Sequence, residues 1–378
     1  MMHNRDAAWI ANRAKSLGFD RCGVVRAENY PELERLPEWL AKGYSGEMKY
    51  LADPRRGDPQ SAMPGARSVI VCLLNYNTSL PFSTDSFAQD DNENPRGWIS
   101  RYAWGDDYHE VLLVRLNNLV ELLRERFQMP FEARSYVDTG PVQERVLAKH
   151  AGLGWLGKNT LLLNDTLGSF FFLGVILTTL DLEATLAAGE MPPPDLCGNC
   201  RQCLDACPTQ AFVEPYVLDA RKCISYLTIE LRGSIPDEFR APMGRHVFGC
   251  DICQDVCPWN QRAPSTAAKE FQPRAFAALR EMPAQNSPLP ASEAFFLPRL
   301  EWLASLSEAE FRDVFRASPI KRAKWRGLVR NACIALGNSN LKRNTPAHIR
   351  IIHLLERLSA STEETIAESA QWALSRIQ

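Results

Sequence analysis

Seven of the chain's eleven cysteines fall in two runs that each end in Cys-Pro, Cys197-x2-Cys200-x2-Cys203-x3-Cys207-Pro208 and Cys250-x2-Cys253-x3-Cys257-Pro258. No other feature restricts the fold so firmly, because thiolates at these spacings have to converge on inorganic centres. A 4Fe-4S cube needs four of them, arriving from different directions. A tight Cys-x2-Cys-x2-Cys loop supplies three, and the cysteine before proline is directed away and ligates the other cluster. The second run lacks a leading cysteine of its own, and Cys223, upstream of Cys250, is the obvious eighth ligand. One cluster is therefore assigned to Cys197, Cys200, Cys203 and Cys257, and the other to Cys223, Cys250, Cys253 and Cys207.

This is the spacing of a two-cluster ferredoxin. Paired Cys-x2-Cys loops also build four-cysteine zinc sites, but zinc does not call for eight thiolates with two Cys-Pro endings. Disulfide frameworks belong to small secreted domains, and this chain has 378 residues. The remaining cysteines, Cys22, Cys72 and Cys333, lie in apolar contexts and read as core.

With 45% hydrophobic residues the chain can build two or three domains with sizeable cores. Residues 1–20 form an amphipathic helix pattern around Trp9, Ile10 and Leu17, charged throughout, unlike a signal peptide with its apolar centre. The longest uncharged apolar stretch, residues 166–180, has 15 residues, short of the roughly 20 that a membrane helix needs. Its Phe, Val, Ile and Thr content reads as buried strand. A cytoplasmic protein without a membrane partner is expected, acting as a monomer.

Three parts follow, and the fold class is α+β. Residues 1–190 alternate helix with strand patterns, the strands falling at 68–74, 136–138 and 170–179. Met191-Pro192-Pro193-Pro194 is a stiff linker into a ferredoxin-like part, residues 191–262. A Pro-rich passage at 258–298 then leads into helices, so that residues 263–378 form a tail. In its last helix Ile366, Ala370, Ala373, Leu374 and Ile377 fall on one face. Stretches 328–336 and 349–358 behave alike, and short helices without strands suggest HEAT-like repeats. Net charge is only -2, yet residues 318–350 hold Lys321, Arg322, Lys324, Arg326, Arg330, Lys342, Arg343 and Arg350 and no Asp or Glu. A solvated helix face is the bland explanation of such a run, and a polyanionic partner the sharper one.

Several motifs carry less than they promise. Gly152-x-Gly154-x-x-Gly157 matches a dinucleotide fingerprint, but the helix pattern precedes it and the strand pattern follows, the reverse of what that turn needs. Gly152-x4-Gly157-Lys158 has Asn159 where a phosphate loop carries Ser or Thr. Asp138-Thr139-Gly140 occurs once, whereas aspartic proteases need two such carboxylates. Gln210 and Asn260 stand where a Cys-x3-Cys-x2-Cys loop would have its third cysteine. Clusters carry single electrons, so the residues themselves imply a reductase with a second redox partner in the N-terminal part.

The combination Gly105-Asp106-Asp107-Tyr108-His109, Val137-Asp138-Thr139-Gly140-Pro141-Val142-Gln143-Glu144-Arg145, Gly154-Trp155-x-Gly157-Lys158-Asn159-Thr160, the double cysteine run and Arg326-Gly327-x-x-Arg330-Asn331-Ala332 resembles the epoxyqueuosine reductase family, in order over nearly the whole chain. The resemblance implies a cobalamin-dependent enzyme that removes the epoxide oxygen from epoxyqueuosine at the wobble position of tRNA, giving queuosine. It implies a nitroreductase-like cobalamin-binding domain with no protein histidine on cobalt, and indeed Asp107-Tyr108-His109 has Leu112 where an Asp-x-His-x-x-Gly signature needs glycine. It implies further that an external low-potential donor feeds the two 4Fe-4S clusters.

By the same resemblance Asp138 is the proton donor, and Arg56, Lys158, Asn159 and Ser169 surround the cofactor. An aspartic acid protonated near neutrality, against its ordinary ~3.9, means roughly 4 kcal/mol of disfavoured charge. Read from the residues alone, Asp138 instead caps a helix beginning near Pro141. Tyr102, Tyr108 and His109 are candidates for the substrate side or for core. Lys321, Arg322, Lys324, Arg326 and Arg330 become candidate phosphate contacts to the anticodon stem-loop. A corrinoid reductive dehalogenase would share the cofactors, but would be expected to carry an N-terminal twin-arginine signal, and Arg55-Arg56 lies too far inside. A non-catalytic electron carrier would leave the N-terminal part unexplained.

Overall fold

The computed structural model describes residues 5–87, 93–274 and 294–378. Much of the Pro-rich passage, residues 275–293, lies outside them. An antiparallel four-stranded sheet organises the N-terminal part, in the order Arg21–Arg26, Ser68–Asn75, Phe171–Thr178, Ala133–Tyr136. Every residue of Ser68–Asn75 is buried, as the uninterrupted apolar run requires of a strand covered on both faces.

The pleat sends alternate side chains into two different cores. Ile70, Cys72 and Leu74, with Phe172 and Ile176, meet Ile10 and Ala14 of the Arg5–Ser16 helix and Leu112, Leu116 and Leu119 of the Tyr108–Phe127 helix. Val69, Val71 and Leu73, with Val175 and Leu177, meet Leu147 and Ala148 of the Glu144–His150 helix. Gly174 makes the first contact close, because a Cβ there would stand 2.9 Å from Leu116 Cδ1. A helix does precede the Gly152-Gly157 segment and a short hairpin, Trp155–Leu156 with Leu162–Leu163, follows it, which rules out the dinucleotide turn.

The tail contains the helices Leu300–Ser305, Glu308–Val314, Lys324–Gly337, Pro346–Ser359 and Glu364–Ile377. Ile366, Ala370, Ala373 and Ile377 are buried as the periodicity predicts, while Leu374 sits at the margin. The three parts do not keep separate cores. Trp98–Ile99, from the N-terminal part, pairs in parallel with His246–Phe248 beside the second cysteine run. Trp98, Trp104, Val247 and Phe248 then share one apolar cluster with Leu303, Phe315, Leu328, Ala332 and Leu336 of the tail. Asp251 ties the junction, accepting from Trp98 Nε1 (2.9 Å), Ser100 Oγ (2.5 Å) and the Arg101 amide (2.7 Å). Among the described residues no helix is long and apolar enough to cross a membrane.

Candidate active site and cluster-binding loops

The two cysteine runs fold alike. Gln202–Asp205 and Ile252–Asp255 are four-residue helices that pack against each other, with Cys203 and Cys253 at their second positions and a Cys-Pro pair just beyond each. Burial raises the thiol pKa of Cys203 to about 11, reinforced by the nearby Cys257, Cys197 and Cys200. Cys257 in turn senses Cys197 and Cys200. Burial also raises Cys250, which senses Cys223 and Cys253, while Cys253 senses Cys223 and Cys207 as well as Cys203. The electrostatic neighbours of Cys203 are thus Cys257, Cys197 and Cys200, and those of Cys253 are Cys223, Cys203 and Cys207, so the two groupings adjoin at Cys203 and Cys253. Cys197, Cys200, Cys203 and Cys257 line one cavity of about 250 Å³ together with Lys158, Asn159 and Trp259. Among the described residues no three His, Cys, Asp or Glu side chains converge tightly enough for one metal ion.

Lys158, Asn159 and Ser169 stand at the seam between the sheet and these loops. Lys158 Nζ donates to the carbonyls of Gly198 (2.5 Å) and Cys200 (3.0 Å), and Asn159 Nδ2 to that of Cys253 (3.5 Å). Ser169 donates through its amide to Asn260 Oδ1 (2.7 Å) and through Oγ to Gln254 Oε1 (2.9 Å), and accepts from Asn260 Nδ2 (2.9 Å). Gln254 and Asn260 had no signal in the sequence beyond their nearness to the cysteines. Arg56 lies elsewhere, donating to the carbonyls of Val142 (3.2 Å) and Tyr50 (3.3 Å), close to the Asp138 turn.

Asp138 follows the end of the Ala133–Tyr136 strand, in left-handed backbone with φ +58°. The chain doubles back there so closely that a Cβ on Gly140 would sit 2.5 Å from Tyr136 Cγ, so glycine is required. Asp138 does not cap a helix. The helix starts at Glu144, after Gln143, and receives no side-chain cap. Asp107 caps a different one, accepting from the amide of His109 (3.2 Å) at the head of the Tyr108–Phe127 helix. That start aims Tyr108 and His109 at Asp138: Tyr108 donates its hydroxyl to Oδ2 at 3.0 Å, and His109 Nε2 lies 3.7 Å from the same oxygen. The other imidazole nitrogen, Nδ1, is 2.7 Å from Asp107 Oδ1. Tyr108 stacks flat on Phe172, centroids 4.4 Å apart, and meets Tyr102 edge-on, so these rings join the core to the site.

The Asp138 side chain is crowded by protein yet 69% solvent-exposed. Burial there works to raise its pKa, but His109, Tyr108 and Arg145 outweigh it and hold the carboxyl below its ordinary range. The expected role of Asp138 as proton donor thus meets a site in which His109, 3.7 Å away, favours the carboxylate when the imidazole is protonated. Burial alone would discharge His109, but Asp107 and Asp138 raise it to about 9. Asp107, 1% exposed, is likewise disfavoured by burial yet taken down to about 2 by His109 and Lys321. A neutral carboxyl does exist nearby. Burial, then the Asp138 charge, pushes Glu144 up to about 8, and its buried Oε1 has no hydrogen-bond partner.

The tail brings some of its cations to the Asp107, His109 and Asp138 group, but not all of them. Lys321 Nζ lies 2.7 Å from Asp107 Oδ2, and Arg322 is forked onto Glu230 (2.9 and 3.0 Å) over the Tyr50 ring. Arg326 pairs with Glu363 at 2.7 Å and Arg350 with Glu301 at 3.2 Å. The acids missing from residues 318–350 thus arrive from elsewhere in the chain. Lys324 is exposed. Arg330 contradicts its assignment as a phosphate contact: it is 1% exposed, and its guanidinium donates to the carbonyls of Leu227 (2.6 Å), Leu231 (3.0 Å) and Gly233 (2.5 Å). Asn331 adds bonds to the carbonyls of Thr228 and Val247, both 2.8 Å. The pair clamps the tail onto the last turn of the Ile224–Ile229 helix, where free carbonyls favour a cation.

Residues 56–139 match the family model described as epoxyqueuosine reductase QueG, DUF1730, and residues 196–260 the one described as 4Fe-4S double cluster binding domain. The epoxyqueuosine reductase of Gloeobacter violaceus is 45% identical over 340 residues, covering 88% of this chain and 96% of that protein. That of Pseudomonas aeruginosa is 39% identical over 374 residues, covering 98% and 94%. An epoxyqueuosine reductase solved with a tRNA-Tyr epoxyqueuosine-modified stem loop superimposes with a TM-score of 0.80 at 30% identity, over 98% of this chain and 89% of that one. The Bacillus subtilis epoxyqueuosine reductase, solved with an aspartate-bearing catalytic loop swung out of the active site, gives 0.79 at 29% identity, over 98% and 90%. Length, motifs, cysteine pattern and fold agree, and the chain belongs to the epoxyqueuosine reductase family.

Proposed function

We propose that this protein reduces epoxyqueuosine to queuosine at the wobble position of tRNA, with two 4Fe-4S clusters and cobalamin as its cofactors and an external low-potential donor as its electron source. The observation that carries the reading is the exposed Asp138 carboxylate, held by Tyr108 and His109 with Lys321 and Arg322 of the tail brought near it. Cys197, Cys200, Cys203 and Cys257 would hold one cluster, and Cys223, Cys250, Cys253 and Cys207 the other; the two thiol groupings support that division.

The residues present suit an amide-rich corrinoid. Glu144 keeps a buried oxygen unpartnered beside Asp138 and Arg56, and a neutral carboxyl can donate to an amide carbonyl. Arg56, Lys158, Asn159 and Ser169 would hold the group, which when bound supplies a cobalt centre that can be reduced to a strongly nucleophilic or low-potential state. Tyr108, stacked between Phe172 and His109, fixes its hydroxyl on Asp138, and Asp138 meets the proton demand of the leaving oxygen. Lys321, Arg322, Lys324 and Arg326 would orient the stem-loop through phosphates, which carry little sequence information. We read the N-terminal part as nitroreductase-like and the tail helices as HEAT-like. Incubating anaerobic holoprotein with epoxyqueuosine-containing tRNA and a low-potential reductant, then weighing the nucleosides, tests the reading. Loss of one oxygen mass from the modified nucleoside is expected, and its persistence in the presence of bound cobalamin and intact clusters overturns it.

A further inference from the structure

Asp107, His109 and Asp138 form a line. Asp107 is buried, caps the Tyr108–Phe127 helix and fixes the imidazole by a 2.7 Å bond to Nδ1. The imidazole is further stacked on Tyr108, centroids 4.0 Å apart, so its free edge is held toward Asp138 Oδ2 at 3.7 Å. Lys321, from the tail, grips the second oxygen of Asp107 at 2.7 Å. The charged and titratable groups facing this line are Asp107 and Lys321 on one side, and Asp138, with Glu144, Arg145 and Arg322 beyond it, on the other. Two carboxylates flanking one imidazole keep it cationic, and the same cation keeps Asp138 ionised. The labile proton of the resting site therefore sits on the histidine, one residue behind the group that meets the substrate.

We propose that His109 is the proton reservoir of the site, a positioning residue that charges Asp138 with the proton delivered to the departing epoxide oxygen. The inference rests on the assignment of Asp138 above. The balance is epoxide plus two electrons and two protons giving alkene plus water. The electrons come from the external low-potential donor. As one carbon–oxygen bond opens, His109 passes its proton to the Asp138 carboxylate, and the oxygen takes this first proton from Asp138. The second carbon–oxygen bond then breaks as the carbon–carbon double bond forms, and the hydroxyl leaves as water with a second proton drawn from solvent through the same pair. Solvent reprotonates His109, since its ring is partly exposed. An aspartic acid acting alone would be almost fully discharged at neutral pH. Backed by an imidazolium, the pair keeps its proton until the histidine titrates.

The test is the pH profile of single-turnover reduction of epoxyqueuosine-containing tRNA by holoenzyme, driven by a viologen radical whose one-electron couple carries no proton. Wild type should hold its rate from pH 6 to 8 and decline only toward about pH 9. His109→Gln should lose the plateau, its rate falling as the pH rises from 6 to 8, because the acids left at the site, Asp138 and the neighbouring Glu144, are carboxyls that discharge below the histidine. Asp107→Asn, which caps the helix equally well, should move the decline to an intermediate pH and serves if the glutamine variant does not fold. If either folded variant keeps the wild-type profile, His109 is a packing residue and the proposal is overturned. If Asp138→Asn itself turns over normally, it is the Asp138 assignment that has failed.

Discussion

Replacing Arg330 separates two readings of the tail, because they predict opposite signatures. Arg330→Met keeps the length and apolar stem of the side chain but leaves the carbonyls of Leu227, Leu231 and Gly233 without their donor. An unsatisfied buried polar group costs about 1–3 kcal/mol. Water can reach the Leu231 and Gly233 contacts in part, and removing a buried cation that burial already takes down to about 10 recovers some desolvation. A net loss of about 3–5 kcal/mol is therefore expected, in line with breaking other buried charged contacts. Urea unfolding of the anaerobic holoprotein, followed by tryptophan fluorescence, should show the transition at clearly lower urea with an unchanged slope. The salt dependence of tRNA binding by the folded fraction should not move. A variant as stable as wild type, with a plot of log affinity against log salt flattened by about 0.7–0.9, refutes the clamp and restores Arg330 as a phosphate contact.

Cys257→Ser should cost the cluster held by Cys197, Cys200 and Cys203, leaving about half the iron and the electron paramagnetic resonance of the other cluster; loss of both signals equally would contradict the division. Asp138→Asn should lower single-turnover reduction by about 10^2 to 10^4 while tRNA affinity and bound corrinoid stay constant, the loss expected of a general acid. The Asp107–His109 pair adds stability that is complete below pH 6.5 and is lost as the pH rises through about 9, because the folded state raises the histidine. The Asp107 side of the same pair is present above pH 3.8 and lost as the pH falls through about 2. Unfolding midpoints across pH 6.5 to 9 check the alkaline limb, and Asp107→Asn should flatten it. Lys324→Ala, at an exposed cation, should reduce the salt slope of tRNA binding by about 0.7–0.9 without shifting stability.

What the sequence made legible is what local rules govern. The strand at 68–74 announces itself as an unbroken apolar run, and the thiol spacing encodes cluster chemistry because the loops themselves make the cluster. Burial of Arg330 was not legible. Its partners lie about a hundred residues upstream, and a basic residue among other basic residues looks like a surface charge until the fold supplies the carbonyls. The acids that neutralise Lys321, Arg322 and Arg326 were hidden for the same reason, coming from Asp107, Glu230 and Glu363. The proton on His109 escaped notice because it depends on two carboxylates meeting one ring, one of them 29 positions away by numbering, 138 against 109. Motifs marked Asp138 as important but could not give its charge.

The short parallel pairing of Trp98–Ile99 with His246–Phe248 also bears on how the chain is made. A growing polypeptide emerges from its N-terminus, so Trp98 and Trp104 leave the ribosome long before their strand partner, and before the tail helices that cover them. Contacts of such separation are slow to form. Until residue 251 is out, Trp98 Nε1, Ser100 Oγ and the Arg101 amide have no carboxylate to meet. The nascent chain therefore carries a sticky indole patch through most of its synthesis, a natural handle for chaperones. Closing that patch brings the second cysteine run into place beside the N-terminal part, because Asp251, which receives the indole, directly follows Cys250.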